Sequence, residues 1–204
     1  MSDRAATHAT VASRVQQELG RALVRFQELE RKIKLTVLPR WVVSDPASVS
    51  AGFEARRAEV MKAPLGWLKE ELLGKYIYPE GSDPGDSELQ KAERRQQFGM
   101  LLRIGIPPEE HARLSDDLSC LHQRRNRLVH HFVEDFQLSD PTNCAQALEW
   151  LIALHAELDE RLSRVESFIE WMAEVHAYLV RQLVERLPLP YPVPDGDQNP
   201  GSRR

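Results

Sequence analysis

At 204 residues, with 42% hydrophobic and 28% charged side chains, the chain can bury one sizeable core, and two would be cramped. A formal net charge of -4 excludes a protein that coats nucleic acid by overall basicity but leaves room for a local basic site. Cys120 and Cys144 give neither a disulfide framework nor a metal-ligand spacing, and no signal-like or membrane-length apolar run occurs, so a soluble, cytoplasmic chain is expected.

Taken in order, residues 9–37 carry a helical pattern through Val11, Val15, Leu19, Leu23, Phe26, Leu29 and Ile33. Thr7 or Thr10 is a possible cap for its start and Pro39 ends it. Residues 38–50 read as a loop, with Trp41 and Val42 tucked onto the bundle, and 52–62 as a second helix. Pro64 suits the opening of a third over 65–75, with Leu65, Leu68 and Leu72 on one face. Residues 79–87 are a loop by composition, and a helix over 87–104 bears Leu89, Phe98, Leu101 and Leu102 until Gly105 and the Pro107-Pro108 pair stop it. The next helix spans 108–136, opening on Glu109 and Glu110 where negative charge suits the helix dipole. Pro141 opens the longest helix, to about residue 187, striped by Leu148, Leu151, Leu158, Leu162, Val165, Ile169 and Met172. Beyond it, residues 188–204 are proline-rich and aperiodic, a disordered tail by composition. The expected architecture is all-α: one domain over 1–187, an antiparallel bundle of about four to five main helices with short accessories.

One segment departs from this pattern. Leu114, Leu118, Leu121, Leu128 and Phe132 form a core-facing stripe, and Arg125 falls in it, four residues after Leu121 and three before Leu128. A charge at a core-facing position costs several kcal/mol unless it is paired or serves a wet cleft. Asn126 and His130 lie one turn apart and share a face, whereas Arg125 sits about 140° from His130, so one helix cannot close both side chains on a single phosphate. Two copies about a two-fold axis would bring Arg and His from both chains into one cleft, which predicts a homodimer.

The string Arg124-Arg125-Asn126-Arg127-Leu128-Val129-His130-His131-Phe132 resembles the signature of the HEPN superfamily (higher eukaryotes and prokaryotes nucleotide-binding domains), an arginine, a polar residue and a histidine a few positions on. The sharp part of the likeness is this string; the helix order over residues 10–187 accompanies it. The resemblance implies a helical bundle with the motif at a dimer interface and, in many members, metal-independent ribonuclease activity in toxin, phage-defence or RNA-processing systems. It implies Arg125 and His130 as catalytic residues with Asn126 supporting them, and Arg124, Arg127 and His131 as substrate-binding residues. RNA is the implied partner beside the second copy, with an antitoxin protein a further one, no membrane, and no cofactor or metal. The residue types suit that chemistry: histidine exchanges protons near neutral pH, and arginine clamps phosphate oxygens with a planar fork. Arg124 with His130, and Arg125 with His131, are alternative registers. Phe132 stands where nucleotidylated toxins of the superfamily carry a tyrosine, so that modification has no hydroxyl here. Glu70 or Glu71 are candidates for an acidic residue facing the motif. Two rival readings remain: a HEPN-like domain that binds nucleotide or RNA without cutting, and a helical dimerisation module in which Arg125 is a structural ion.

Overall fold

The computed structural model describes residues 2–38, 41–42, 49–82, 99–100 and 103–186. The chain runs α1 (Ser2–Val37), β1 (Trp41–Val42), α2 (Val49–Lys62), α3 (Leu65–Glu71), a π-helical turn (Leu72–Tyr76), β2 (Ile77–Pro79), β3 (Gly99–Met100), β4 (Ile104–Ile106), α4 (Pro108–His130), α5 (Phe132–Phe136) and α6 (Pro141–Arg186). It is mostly helical, as the periodicity requires. No described helix is long and apolar enough to cross a membrane.

Helix α1 starts at Ser2, well before the expected residue 9, so neither Thr7 nor Thr10 caps it. Ala5, Ala6 and Ala9 favour helix and nothing before them breaks it. It stops at Val37 because Pro39 disfavours a helical conformation for Leu38. One face buries Val15, Ala22, Phe26, Leu29 and Ile33 against α6, which contributes Leu151, Leu158, Leu162, Val165 and Ile169. The two helices run parallel: Glu18 meets His155, Arg25 meets Asp159 and Lys32 meets Glu166, so both numberings rise together. The antiparallel expectation is corrected here. Short connections impose antiparallel neighbours only on consecutive helices, and α1 and α6 are joined through all the intervening elements. Helix α4 does run antiparallel to α6, since Asp117 reaches Arg161 and Arg164 while Arg124 reaches Glu157.

The C-terminal end of the helix expected over 87–104 is also corrected; residues 83–98 and 101–102, with Leu89, Phe98, Leu101 and Leu102, lie outside the described residues. Gly99–Met100 pairs antiparallel with Trp41–Val42, and Ile104–Ile106 pairs parallel with Ile77–Pro79. Gly105, between two β-branched isoleucines, suits an extended strand, and a Cβ there would come within 3.3 Å of the Tyr78 ring opposite. The third helix is shorter than expected, since after Glu71 it widens into the π-helical turn. That turn brings the Tyr76 hydroxyl to the Val37 carbonyl at 2.5 Å, tying the segment to the end of α1.

The helix expected over 108–136 breaks once. His131 leaves helical geometry at φ -123°, ψ -10°, and α5 follows as a separate turn. Phe132 and Phe136 then stack on Trp150 of α6 with centroids 5.9 and 5.7 Å away, and aromatic packing holds the redirected turn. Gln137 closes α5 at φ 38°. Asp140 opens α6: its Oδ1 accepts from the Thr142 and Asn143 amides, with Pro141 preset for the first turn. Residues 187–204, including the expected tail, lie outside the described residues.

Candidate functional site around Arg125

Every apolar member of the α4 stripe is buried, and Arg125 sits at its edge, 27% exposed at the side chain. Its Nε lies 3.4 Å from Oε1 of Glu30 on α1, itself 17% exposed. Its Nη1 donates a long, 3.4 Å bond to Oδ1 of Asn126. The positive charge at a core-facing position is therefore met by a carboxylate across the helix–helix seam. Nη2 has no partner among the described residues. The acidic residue facing the motif comes from α1, not from α3. Glu70 is exposed beside Lys69, and buried Glu71 pairs with Arg56 and Lys75 instead.

Asn126 has a second partner. Its Nδ2 lies 3.0 Å from Nε2 of His122, one turn earlier on the same face. Both Asn126 side-chain protons are donors, so Nε2 must accept and the ring carries its proton on Nδ1. The environment agrees with a neutral imidazole. Burial pushes the His122 pKa down, the nearby charges of Lys69 and Arg125 push it further, and Glu30 and Glu70 only partly oppose them. The ring lies against α3 at Gly66, where a Cβ would come within 3.0 Å of Cε1 and Nε2. Lys69, one turn along α3, contacts Ser119 of α4 at 3.5 Å and pairs with Glu70. Glu30, Arg125, Asn126 and His122 thus form one polar row from α1 across α4 to α3.

The other residues picked out by sequence distribute around the helix. Arg124 faces α6, where its Nε meets Glu157 at 3.0 Å. Arg127 bonds Asp135 at 2.8 Å across the break and lies 5.0 Å over the Trp150 ring. His131 is exposed and 3.4 Å from Glu134. Asn126, Arg127 and His131 line a shallow open cleft of about 480 Å³ with Gln123 and Asp135. His130 is exposed and outside that lining; its ring lies edge-on to that of His131, 6.3 Å away. Val129 and Val133 beside it are 45% and 67% exposed. So Arg125 and Asn126 touch, Asn126, Arg127 and His131 share a cleft, and His130 joins neither group within one chain.

Sequence reasoning missed Glu30, His122, Lys69 and Gly66. His122 had a readable signal, since it precedes Asn126 by the same four-residue step that separates Asn126 from His130. Cys120 is partly buried; it donates to Glu157 at 3.0 Å, and burial together with that carboxylate pushes its pKa up, away from a reactive thiolate. Among the described residues no group of three or more His, Cys, Asp and Glu side chains is placed to hold a metal ion. Comparisons of the chain with protein-family models, with curated proteins and with solved structures find no match in any of the three.

Proposed function

We propose that this chain is a HEPN-like endoribonuclease working as a homodimer, with Arg125 and His130 from two copies meeting across a two-fold axis. The observation that carries the reading is the pairing of an oriented, incompletely saturated arginine with an adjoining open face that holds His130 between exposed Val129 and Val133. A second copy laid on that face covers the valines and brings His130 of one chain toward Arg125 of the other. The reaction asks only for proton transfer and charge stabilisation. The ribose 2'-oxygen attacks phosphorus as a histidine removes its proton, the bond from phosphorus to the 5'-oxygen breaks, and a protonated histidine supplies that oxygen with hydrogen. Arginine neutralises the charge that gathers on the phosphate. The products are a 2',3'-cyclic phosphate and a 5'-hydroxyl. Arg127 and His131 line the cleft along which a strand would lie, and Arg124 adds charge nearby; a toxin or phage-defence role with an antitoxin partner belongs to the same reading.

The test is incubation of purified protein with single-stranded RNA, with and without chelator. Cleavage should survive the chelator. His130→Ala and Arg125→Ala should each lower it by about 10²–10⁴-fold while the protein stays folded. The Glu30–Arg125 pair favours a second reading, a helical interaction module in which Arg125 is structural. An Arg125→Ala variant that unfolds, from a parent that never cuts RNA, selects it.

A further inference from the structure

We infer that His122 is a positioning residue for the Arg125 site, holding the guanidinium through Asn126 in the orientation that receives a phosphate. The consequence for cleavage rests on the ribonuclease reading; the positional role does not.

The argument starts from Asn126, whose two ends differ in hydrogen-bonding sense. With Nδ2 on His122 Nε2 at 3.0 Å, Oδ1 is turned to Arg125 Nη1 at 3.4 Å. A flipped carboxamide would set its amino group against a guanidinium that can only donate and its oxygen against the Nε2 lone pair, so the histidine acceptor reinforces the productive orientation. The bond to Arg125 is long and weak alone. What it adds is direction, because Glu30 holds Nε from the other side and two anchors on different nitrogens stop rotation of the fork. The ring is held in turn by α3 at Gly66. A short row of side chains thus fixes one cation without consuming all its donors.

This arrangement works in one protonation state. The charged groups facing the ring are Glu30 from α1, Lys69 and Glu70 from α3, and Arg125 from α4 itself; burial, Lys69 and Arg125 favour the neutral imidazole and outweigh the opposing pull of Glu30 and Glu70. Once protonated, Nε2 becomes a donor facing the donors of Asn126, and the row breaks. Falling pH should therefore release Arg125 at a midpoint below that of a free imidazole.

The test uses the full chain, labelled with ¹⁵N, as wild type, His122→Gln and His122→Leu. The readout is the pair of Arg125 Nη resonances, which stay resolved when rotation about Nε–Cζ is hindered and merge when it is free. Resolved signals are expected in wild type at neutral pH and in His122→Gln, whose carbonyl can accept from Asn126, and merged signals in His122→Leu. In wild type the signals should merge as pH falls; in His122→Gln that transition should vanish. On a single-stranded RNA oligonucleotide, kcat/KM should drop about 10–100-fold in His122→Leu and recover to within a few-fold of wild type in His122→Gln. Resolved Arg125 signals in folded His122→Leu, or an acid transition unchanged in His122→Gln, overturn the inference. Should His122→Leu fail to fold, the wild-type acid titration of Arg125 decides alone. If wild type cuts no RNA, the ribonuclease reading falls and the Arg125 resonances still decide the role of His122.

Discussion

Asp117 is 2% exposed, and its two oxygens collect three guanidinium bonds: Arg161 Nη1 at 2.6 Å, Arg164 Nε at 2.7 Å and Arg164 Nη2 at 2.7 Å. Burial alone would raise its pKa, but the two arginines on α6 outweigh it and hold the carboxyl below the usual carboxylate range. The sign of the linkage follows. A carboxylate whose folded pKa is depressed stabilises the fold fully above the ordinary aspartate pKa of about 3.9, and that contribution is lost as pH falls through the folded value. Unfolding measured by urea from neutral pH downward should show stability falling in this acid window, and Asp117→Asn should remove that part of the dependence. At pH 7 the same variant should cost about 3 kcal/mol, the lower end of the range for a broken buried pair, because Arg161 and Arg164 keep contact with water. A variant as stable as wild type at pH 7 would show the cluster to be ornamental to the fold. Arg125 and Glu30 differ from this cluster in degree of saturation: Asp117 accepts three short guanidinium bonds, whereas Arg125 meets Glu30 and Asn126 only at 3.4 Å.

At the scale of the element, α4 decides what could be read in advance. Its stripe of Leu114, Leu118, Leu121 and Leu128, continued by Phe132 on α5, was legible because burial follows helical period, and each of these side chains is in the core. The identity of the Arg125 partner was not, because Glu30 is one of several carboxylates on α1 and only the packing of α1 on α4 selects it. The direction of α1 against α6 was equally hidden, since periodicity marks a face and says nothing of polarity. Strands of two or three residues fall below any alternation signal, so Gly99–Met100 and Ile104 were absorbed into the helix expected over 87–104. Close approach between α3 and α4 is invisible to sequence as well, and Gly66 gives a way to test it. Gly20 sits mid-helix in α1 with nothing within 4 Å of an added Cβ, so Gly20→Ala should stabilise by about 0.5–1 kcal/mol. Gly66→Ala meets the His122 ring at 3.0 Å and should fail to show that gain, while weakening the His122–Asn126 bond. Thermal melts of the two variants side by side measure the difference; equal gains would mean that the ring gives way freely.

For the whole molecule, the weight of the functional proposal falls on assembly, because one chain does not bring Arg125 and His130 together. A charged side chain at the proposed contact should separate the copies without touching the core: Val129 and Val133 are 45% and 67% exposed, so Val129→Glu or Val133→Glu leaves the bundle intact. Sedimentation at micromolar concentration should show wild type as a dimer and the glutamate variants as folded monomers, with RNA cleavage lost along with the dimer. A monomeric wild type ends the composite-site reading. Mixing supplies a sharper check. Arg125→Ala and His130→Ala are each expected to be inactive alone, but random re-pairing makes half of the dimers mixed. Each mixed dimer keeps one intact combination, the arginine of one copy with the histidine of the other, so activity should return to roughly a quarter of wild type. If Arg125 and His130 worked within a single chain, the mixture would remain as dead as its parts, since no chain would carry both groups. Recovery on mixing, absent when Val129→Glu is added to both variants, requires the site to be built from two copies.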